Sequence, residues 1–163
     1  MSKLIITVAL NGSVPTKKMN PHTPITPDEI AEAAVRCRVA GASVAHVHAR
    51  DLEGRATLDP DIFAEIHRLV SEKTDMIVQI STGGRADLDA EVRANPVLRI
   101  KPEMASLTTG SMNFPDQVYE NSFETVETRV ARLAAEAERE VATPAEARQI
   151  MSLKGMCRMS PSS

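Results

Sequence analysis

Four histidines occur in 163 residues, and two of them stand one residue apart in "VAHVHARD" (44–51). Side chains at i and i+2 of a strand project to the same face, roughly 7 Å apart along the backbone, so His46 and His48 can converge on one ion. Imidazole nitrogens joined by oxygen donors suit Zn²⁺ or a similar divalent metal, which would act as a Lewis acid on a carbonyl or carboxylate. The same spacing also suits two hydrogen-bonded interior histidines, and the residues alone leave both readings open. A metal site needs a third protein donor, which periodicity does not identify. Arg50 and Asp51 follow at once, and Arg50 has two uses, as an ion-pair partner of Asp51 or as a clamp on a substrate carboxylate.

Further small, polar, flexible groups follow apolar runs: Asn11-Gly12-Ser13, Ser81-Thr82-Gly83-Gly84 and Thr108-Thr109-Gly110-Ser111. The "STGG" loop offers two hydroxyls and backbone N–H groups that can approach an anion, or simply a turn after a strand. In "SLTTGS", Ser106 and Thr108 share strand parity and are expected to face one side. His67 sits in a helix among Ile66, Arg68 and Leu69 and His22 in a Pro-rich loop, and both are read as structural. The eight methionines are read as core filling, and "EAERE" as solvated helix surface.

These groups need elements to hold them. "KLIITVAL" (3–10), "SVAHVH" (43–48), "MIVQIS" (76–81) and "PEMASLT" (102–108) read as short, apolar strands. Between them, "TPDEIAEAAVRCRVAGA" opens with Thr26, Pro27 and Glu29 in a capping box and ends at Gly41, and "DPDIFAEIHRLVSEK" (59–73) repeats the cap-then-Pro opening. A short polar helix or turn is expected over 86–95, a long helix over 122–140, and another over 143–151 with Thr143, Pro144 and Glu146 in a second box. Alternating strands and helices predict parallel β/α architecture, in which all the polar strand ends lie on one edge. That edge is where such folds bind ligands, in open sheets and closed barrels alike.

Composition narrows the function classes. Aromatic content is 2%, so the core must be aliphatic, and 163 residues suffice to build one without disulfides. A formal net charge of −3 supplies no basic stripe with interleaved aromatics, so nucleic-acid binding is set aside. Cys37 and Cys157 make neither a CxxC pair nor a disulfide framework, which suits a reducing cytoplasm. "LIITVAL" is too short for a secretory segment and runs into "NGS", and no stretch approaches the roughly 20 apolar residues that span a bilayer.

"ITVALNGS", "NPHTPITPDEIAEAAVRCRVAGASVAHVHARD", "QISTGG" and "LRIKPEMASLTTGSMNF" together resemble the N-terminal half of the β-keto acid cleavage enzymes, whose named member is 3-keto-5-aminohexanoate cleavage enzyme. The resemblance runs from residue 3 to about 127. It implies a metal-dependent (β/α)₈ barrel in which a β-keto acid reacts with acetyl-CoA to give acetoacetate and a new CoA ester. Carried over by position, it implies His46 and His48 as metal ligands, and Ser81, Gly84 and Ser106 in the substrate pocket with Asn11 nearby. Val14 stands where the aminohexanoate enzyme has a substrate-binding glutamate, which points to another β-keto acid. "VARLAAEAEREVATPAEARQIMSL" resembles the family's C-terminal helices, so the segment carrying about four strands, with the third ligand, a glutamate, and a catalytic arginine, is expected to be absent, with the join near Thr128. Glu103 is not assigned as a replacement ligand.

The expected organisation is therefore half a barrel over 1–128, C-terminal helices over 129–153 and a disordered tail over 154–163. Expected partners are the keto acid, acetyl-CoA and further copies of the chain, since half a barrel leaves two strand edges unpaired. The alternatives are a catalytically silent remnant, a half barrel that completes itself by homodimerisation and, less in keeping with a first strand lacking histidine, a metal-dependent hydrolase.

Overall fold

The computed structural model describes residues 4–83, 88–114, 117–124, 126–127 and 142–151. Four parallel strands, β1 (Thr7–Ala9), β2 (Val44–Val47), β5 (Ile77–Ile80) and β6 (Met104–Ala105), form a sheet in the order β1-β2-β5-β6. Thr7 pairs with Val44, Val44 with Ile77, and Gln79 with Met104, so the strand ends line up. The ladders are shorter than the apolar runs predicted, but pairing continues past them: Ser43 N–H donates to the Ile6 carbonyl (2.9 Å) and Ser106 N–H to that of Ile80 (3.0 Å).

Helices α1 (Pro27–Val39), α2 (Pro60–Lys73) and α3 (Ala90–Ile100) cover one face of this sheet, α2 packing against both others. The core lies between the layers, where Ile30, Ala31 and Ala34 of α1 and Phe63, Ile66, Leu69 and Val70 of α2 meet Ala45, Val47, Val78 and Ile80. Alanines at the strand and at α1 let the two backbones come close, while the bulk is supplied by α2.

Local signals explain the helix ends. Thr26 accepts from Glu29 N–H and Glu29 reaches back to Thr26 N–H, completing the predicted capping box. At the other end, Ala42 N–H donates to Cys37 and Gly41 N–H to Arg38, with Gly41 at φ +105°, a Schellman motif that needs glycine. Asp59 caps α2 through Asp61 N–H. The helix expected over 86–95 instead runs from Ala90 to Ile100, capped by Asp89, straight through Pro96. Pro96 is fully buried, and Val97 and Ile100 pack on the core, so burial outweighs the lost backbone bond.

Two antiparallel pairs were not foreseen. β3 (Ala49–Arg50) and β4 (Ala56–Thr57) form a hairpin directly after β2, and β7 (Met112–Phe114) and β8 (Gln117–Tyr119) form another after β6. A last helix, α4 (Pro144–Ile150), carries the second capping box, Thr143 with Glu146. Of the long helix expected over 122–140, Phe123, Glu124, Val126 and Glu127 are helical, while 125 and 128–140 lie outside the described residues, as does the tail from 154. Among the described residues, no helix is long and apolar enough to cross a membrane.

Candidate functional site

Along β2 and on into β3, Ala45, Val47 and Ala49 turn toward the helices, so the alternation sends Val44, His46 and, between the two strands, His48 to the opposite face. Both histidines are half-buried there, with ring centroids 5.1 Å apart and ring planes crossed at 83°. His46 is level with Gln79 of β5, and its Nδ1 lies 2.8 Å from Gln79 Oε1. An amide oxygen only accepts, so Nδ1–H donates to it and the Nε2 lone pair is left for another partner.

His48 is fixed through its backbone. Its N–H donates to Asn11 Oδ1 (3.0 Å), and its carbonyl accepts from Asn11 Nδ2 (3.0 Å), which also reaches the Pro24 carbonyl (3.3 Å). The Asn11 side chain thus extends the β1–β2 ladder past the point where the backbone diverges, and its amide is engaged in holding His48.

Burial pushes the His48 pKa down to about 4, aided by the neighbouring His46 and the Arg50 guanidinium. Burial also lowers that of His46, partly offset by the bond to Gln79. Two imidazoles held neutral present lone pairs, which is the state a divalent metal requires. The donor chemistry therefore fits two positions of a metal site. Among the described residues, no group of three His, Cys, Asp or Glu completes one; Glu103 is exposed.

Arg50 is 3% exposed and does not pair with Asp51. It donates to the carbonyls of Gly12, Pro15 (2.8 Å) and Gly54 (2.9 Å), tying the loop after β1 to the β3–β4 turn. Asp51 takes Arg55 instead (2.8 Å), and accepts the backbone N–H groups of Glu53 and Arg55.

Ser81 and Ser106 follow β5 and β6 at neighbouring positions. Ser81 is 2% exposed, and its Oγ accepts from Gly83 N–H (3.2 Å). Thr82 Oγ1 donates to the Ser106 carbonyl (2.5 Å), binding one loop to the other. Gly84, the remaining expected pocket residue, lies outside the described residues. The structure thus brings His46, His48, Ser81 and Ser106 to one edge of the sheet, with Asn11 behind His48. His22 is exposed before α1, and His67 is half-buried on α2.

A profile of the beta-keto acid cleavage enzyme family matches residues 3–130. The chain belongs to that family. It is 39% identical over 132 residues to the 3-oxoadipate:acetyl-CoA acetyltransferase of Cupriavidus necator, covering 80% of this chain and 46% of that protein. It is 42% identical over 124 residues to the 3-keto-5-aminohexanoate cleavage enzyme of Acetoanaerobium sticklandii (75% and 45%). It is 39% identical over 113 residues to the 3,5-dioxohexanoate:acetyl-CoA acetone transferase of Paraburkholderia graminis (69% and 36%). The chain therefore spans about half the length of these relatives, or less. Its fold is similar to that of a ternary complex of ObcA with a C4-CoA adduct and oxalate, with a TM-score of 0.62 at 25% identity, over 71% of this chain and 29% of that one. The four parallel strands with their helices are accordingly part of a TIM-type (β/α) barrel.

Sequence reasoning passed over three residues that shape this edge of the β-keto acid cleavage fold: Gln79, Arg93 and Tyr119. Gln79 was visible as a lone amide in "MIVQIS". Arg93 and Tyr119 meet across 26 positions, and no local pattern signals such a pair.

Proposed function

We propose that this chain carries the metal-binding and substrate-binding half of a β-keto acid cleavage enzyme. The reaction would convert a β-keto acid and acetyl-CoA into acetoacetate and a new CoA ester. The observation that supports it most directly is the convergence of two neutral imidazoles, His46 and His48, on the sheet face away from the helices. These two would hold Zn²⁺ or a similar divalent ion, with a third donor from outside the described residues. When bound, the ion supplies Lewis acidity toward the keto acid's oxygens.

The chain's own residues do the rest. Gln79 fixes the His46 ring, Asn11 fixes the His48 backbone, and Ser81 with Ser106 supplies hydroxyls at the adjoining strand ends. Val14, 47% exposed in the loop after β1, gives an amino-substituted substrate no carboxylate partner, which favours a keto acid without an amine. The test is equilibrium dialysis against Zn²⁺ with the wild type, His46→Gln and His48→Gln, followed by acetoacetate release from 3-oxoadipate and acetyl-CoA. Zinc retained by the wild type and lost by both variants is the expected result. Equal retention by all three ends the histidine assignment.

A self-associating half barrel is favoured by one further observation. Among the described residues, β1 and β6 each pair on one side only, and Leu4 and Ile5 beside β1 are 82% and 66% exposed. Unpaired apolar edges drive association. Sedimentation equilibrium should return at least twice the chain mass, and a monomer at high concentration removes this reading. Acetyl-CoA as co-substrate and a cytoplasmic setting belong to the same proposal.

A further inference from the structure

Arg93 lies on α3 and is 2% exposed. A guanidinium at that depth ordinarily faces a carboxylate. Here its partners are neutral: Nε donates to the Thr82 carbonyl (3.1 Å), and the other nitrogens reach Asn121 Oδ1 (2.8 Å), the Tyr119 hydroxyl and the Glu120 carbonyl (3.4 Å). The guanidinium also stands 4.8 Å over the Tyr119 ring. Asn121 passes the constraint on, donating to the Gly110 carbonyl (3.0 Å) and, through its own N–H, to Ser111 Oγ (2.9 Å). The Tyr119 hydroxyl lies beside Gly83, 3.6 Å from where a Cβ would stand.

One planar fork therefore ties the loop after β5 to the segment after β8, and through Asn121 to the turn before β7. The loop it grips is the one in which Ser81 bonds Gly83 and Thr82 bonds Ser106. It also places a positive charge, with no counter-ion among the described residues, directly behind that loop. A buried cation satisfied only by dipoles favours an anion arriving at the same edge.

We infer that Arg93 is a positioning residue for the anionic keto acid, holding Ser81–Gly83 and Ser106 in the arrangement that receives it. The inference rests on the proposed function. Charge and fork are separable by substitution: lysine keeps the charge and loses the planar geometry, and methionine loses both.

The experiment is calorimetric titration of 3-oxoadipate into the full chain, with and without Zn²⁺, for the wild type, Arg93→Lys and Arg93→Met. Affinity should fall about tenfold in Arg93→Lys, equivalent to roughly 1.4 kcal/mol, and further in Arg93→Met, while Zn²⁺ affinity stays at the wild-type value. Should Arg93→Met fail to fold, Arg93→Lys decides. Unchanged keto-acid affinity in Arg93→Lys, parallel loss of Zn²⁺, or no wild-type binding of 3-oxoadipate would each overturn the inference. A wild type that binds 3-oxoadipate and not Zn²⁺ sinks the histidine assignment instead, and the metal-free titration still reads Arg93.

Discussion

Along β2, alternate side chains enter two different settings. Ala45 and Val47, with Ala49 at the start of β3, are sealed beneath α1 and α2, where Ile30, Phe63 and Ile66 complete an apolar layer from within the chain. His46 and His48, one position out of phase, face a half-buried surface where the nearest polar partner is Gln79. The helix-side face is finished by this sequence, and the histidine face presents two neutral imidazoles that, among the described residues, no group of three His, Cys, Asp or Glu extends into a metal site. Stability and chemistry are thereby assigned to opposite parities of the same strand, and each can be perturbed separately.

The largest effect should come from the sealed side. Phe63 is among the largest fully buried side chains. Phe63→Ala removes its ring from the layer under β2 and leaves a cavity, at a cost of about 3–5 kcal/mol. Urea unfolding would measure it. Wherever the variant remains folded, Zn²⁺ affinity should equal the wild type's, and loss of metal in proportion to stability would break the separation of the two faces.

The histidine face should reveal itself through pH. His48 titrates at about 4 in the fold and near 6.5 when unfolded, so between those values the unfolded chain binds a proton that the native one refuses. The His48 contribution to metal-free stability is therefore full above pH ~6.5, declines as the pH falls toward 4 and levels off below it, a loss on the order of 3 kcal/mol. His46, lowered for the same reason, adds in the same direction. Urea titrations from pH 7.5 to 4 would trace the slope, and His48→Gln should remove the His48 share of it, which is largest between pH 6.5 and 4.5.

The sealed face was the more legible in the sequence. Its alternation of alanine and valine, the spacing of Phe63, Ile66 and Val70, and the caps at Thr26 and Asp59 are short-range signals, and each element formed where they pointed. The pairing of His46 with His48 was legible for the same reason, since strand parity is local. What escaped notice depends on residues far apart. Arg50 gave up its neighbour Asp51 for carbonyls at Gly12 and Pro15, more than 30 positions back, because a buried fork gains more from several fixed acceptors than from one carboxylate already engaged by Arg55. Asn11, expected beside the substrate, is engaged with His48 at a separation of 37. Helix α3 overran its expected end because tertiary burial of Pro96 overrode the local rule.

Asn11 joins the two faces, and a smaller effect is expected there. Asn11→Ala leaves both the N–H and the carbonyl of His48 without their partner, a loss of about 1–3 kcal/mol. Unlike Phe63→Ala, it should also weaken Zn²⁺ binding, because the backbone that aims His48 is freed. Asn11→Asp keeps the acceptor for His48 N–H but sets a carboxylate oxygen against the His48 and Pro24 carbonyls, so at pH 7 it should be no more stable than alanine. Dialysis and urea unfolding on the same samples would show whether the two losses move together.

The smallest effect sharpens the contrast from the far side of α1. Thr26 and Glu29 close the helix start reciprocally, and Glu29 also accepts from Ile25 N–H (2.8 Å) and pairs with Lys17, which holds its carboxyl down to about 2. Thr26→Ala removes the acceptor for Glu29 N–H and should cost about 1 kcal/mol, with Thr26→Ser restoring most of it. Because the Glu29 carboxylate stays ionised well below pH 4, this cost should be the same at pH 7 and pH 4.5. It should therefore add to the His48 decline without changing its slope. A cap variant that altered that slope would mean that α1 and the histidine face are coupled through the sheet, and the division by strand parity would have to be given up.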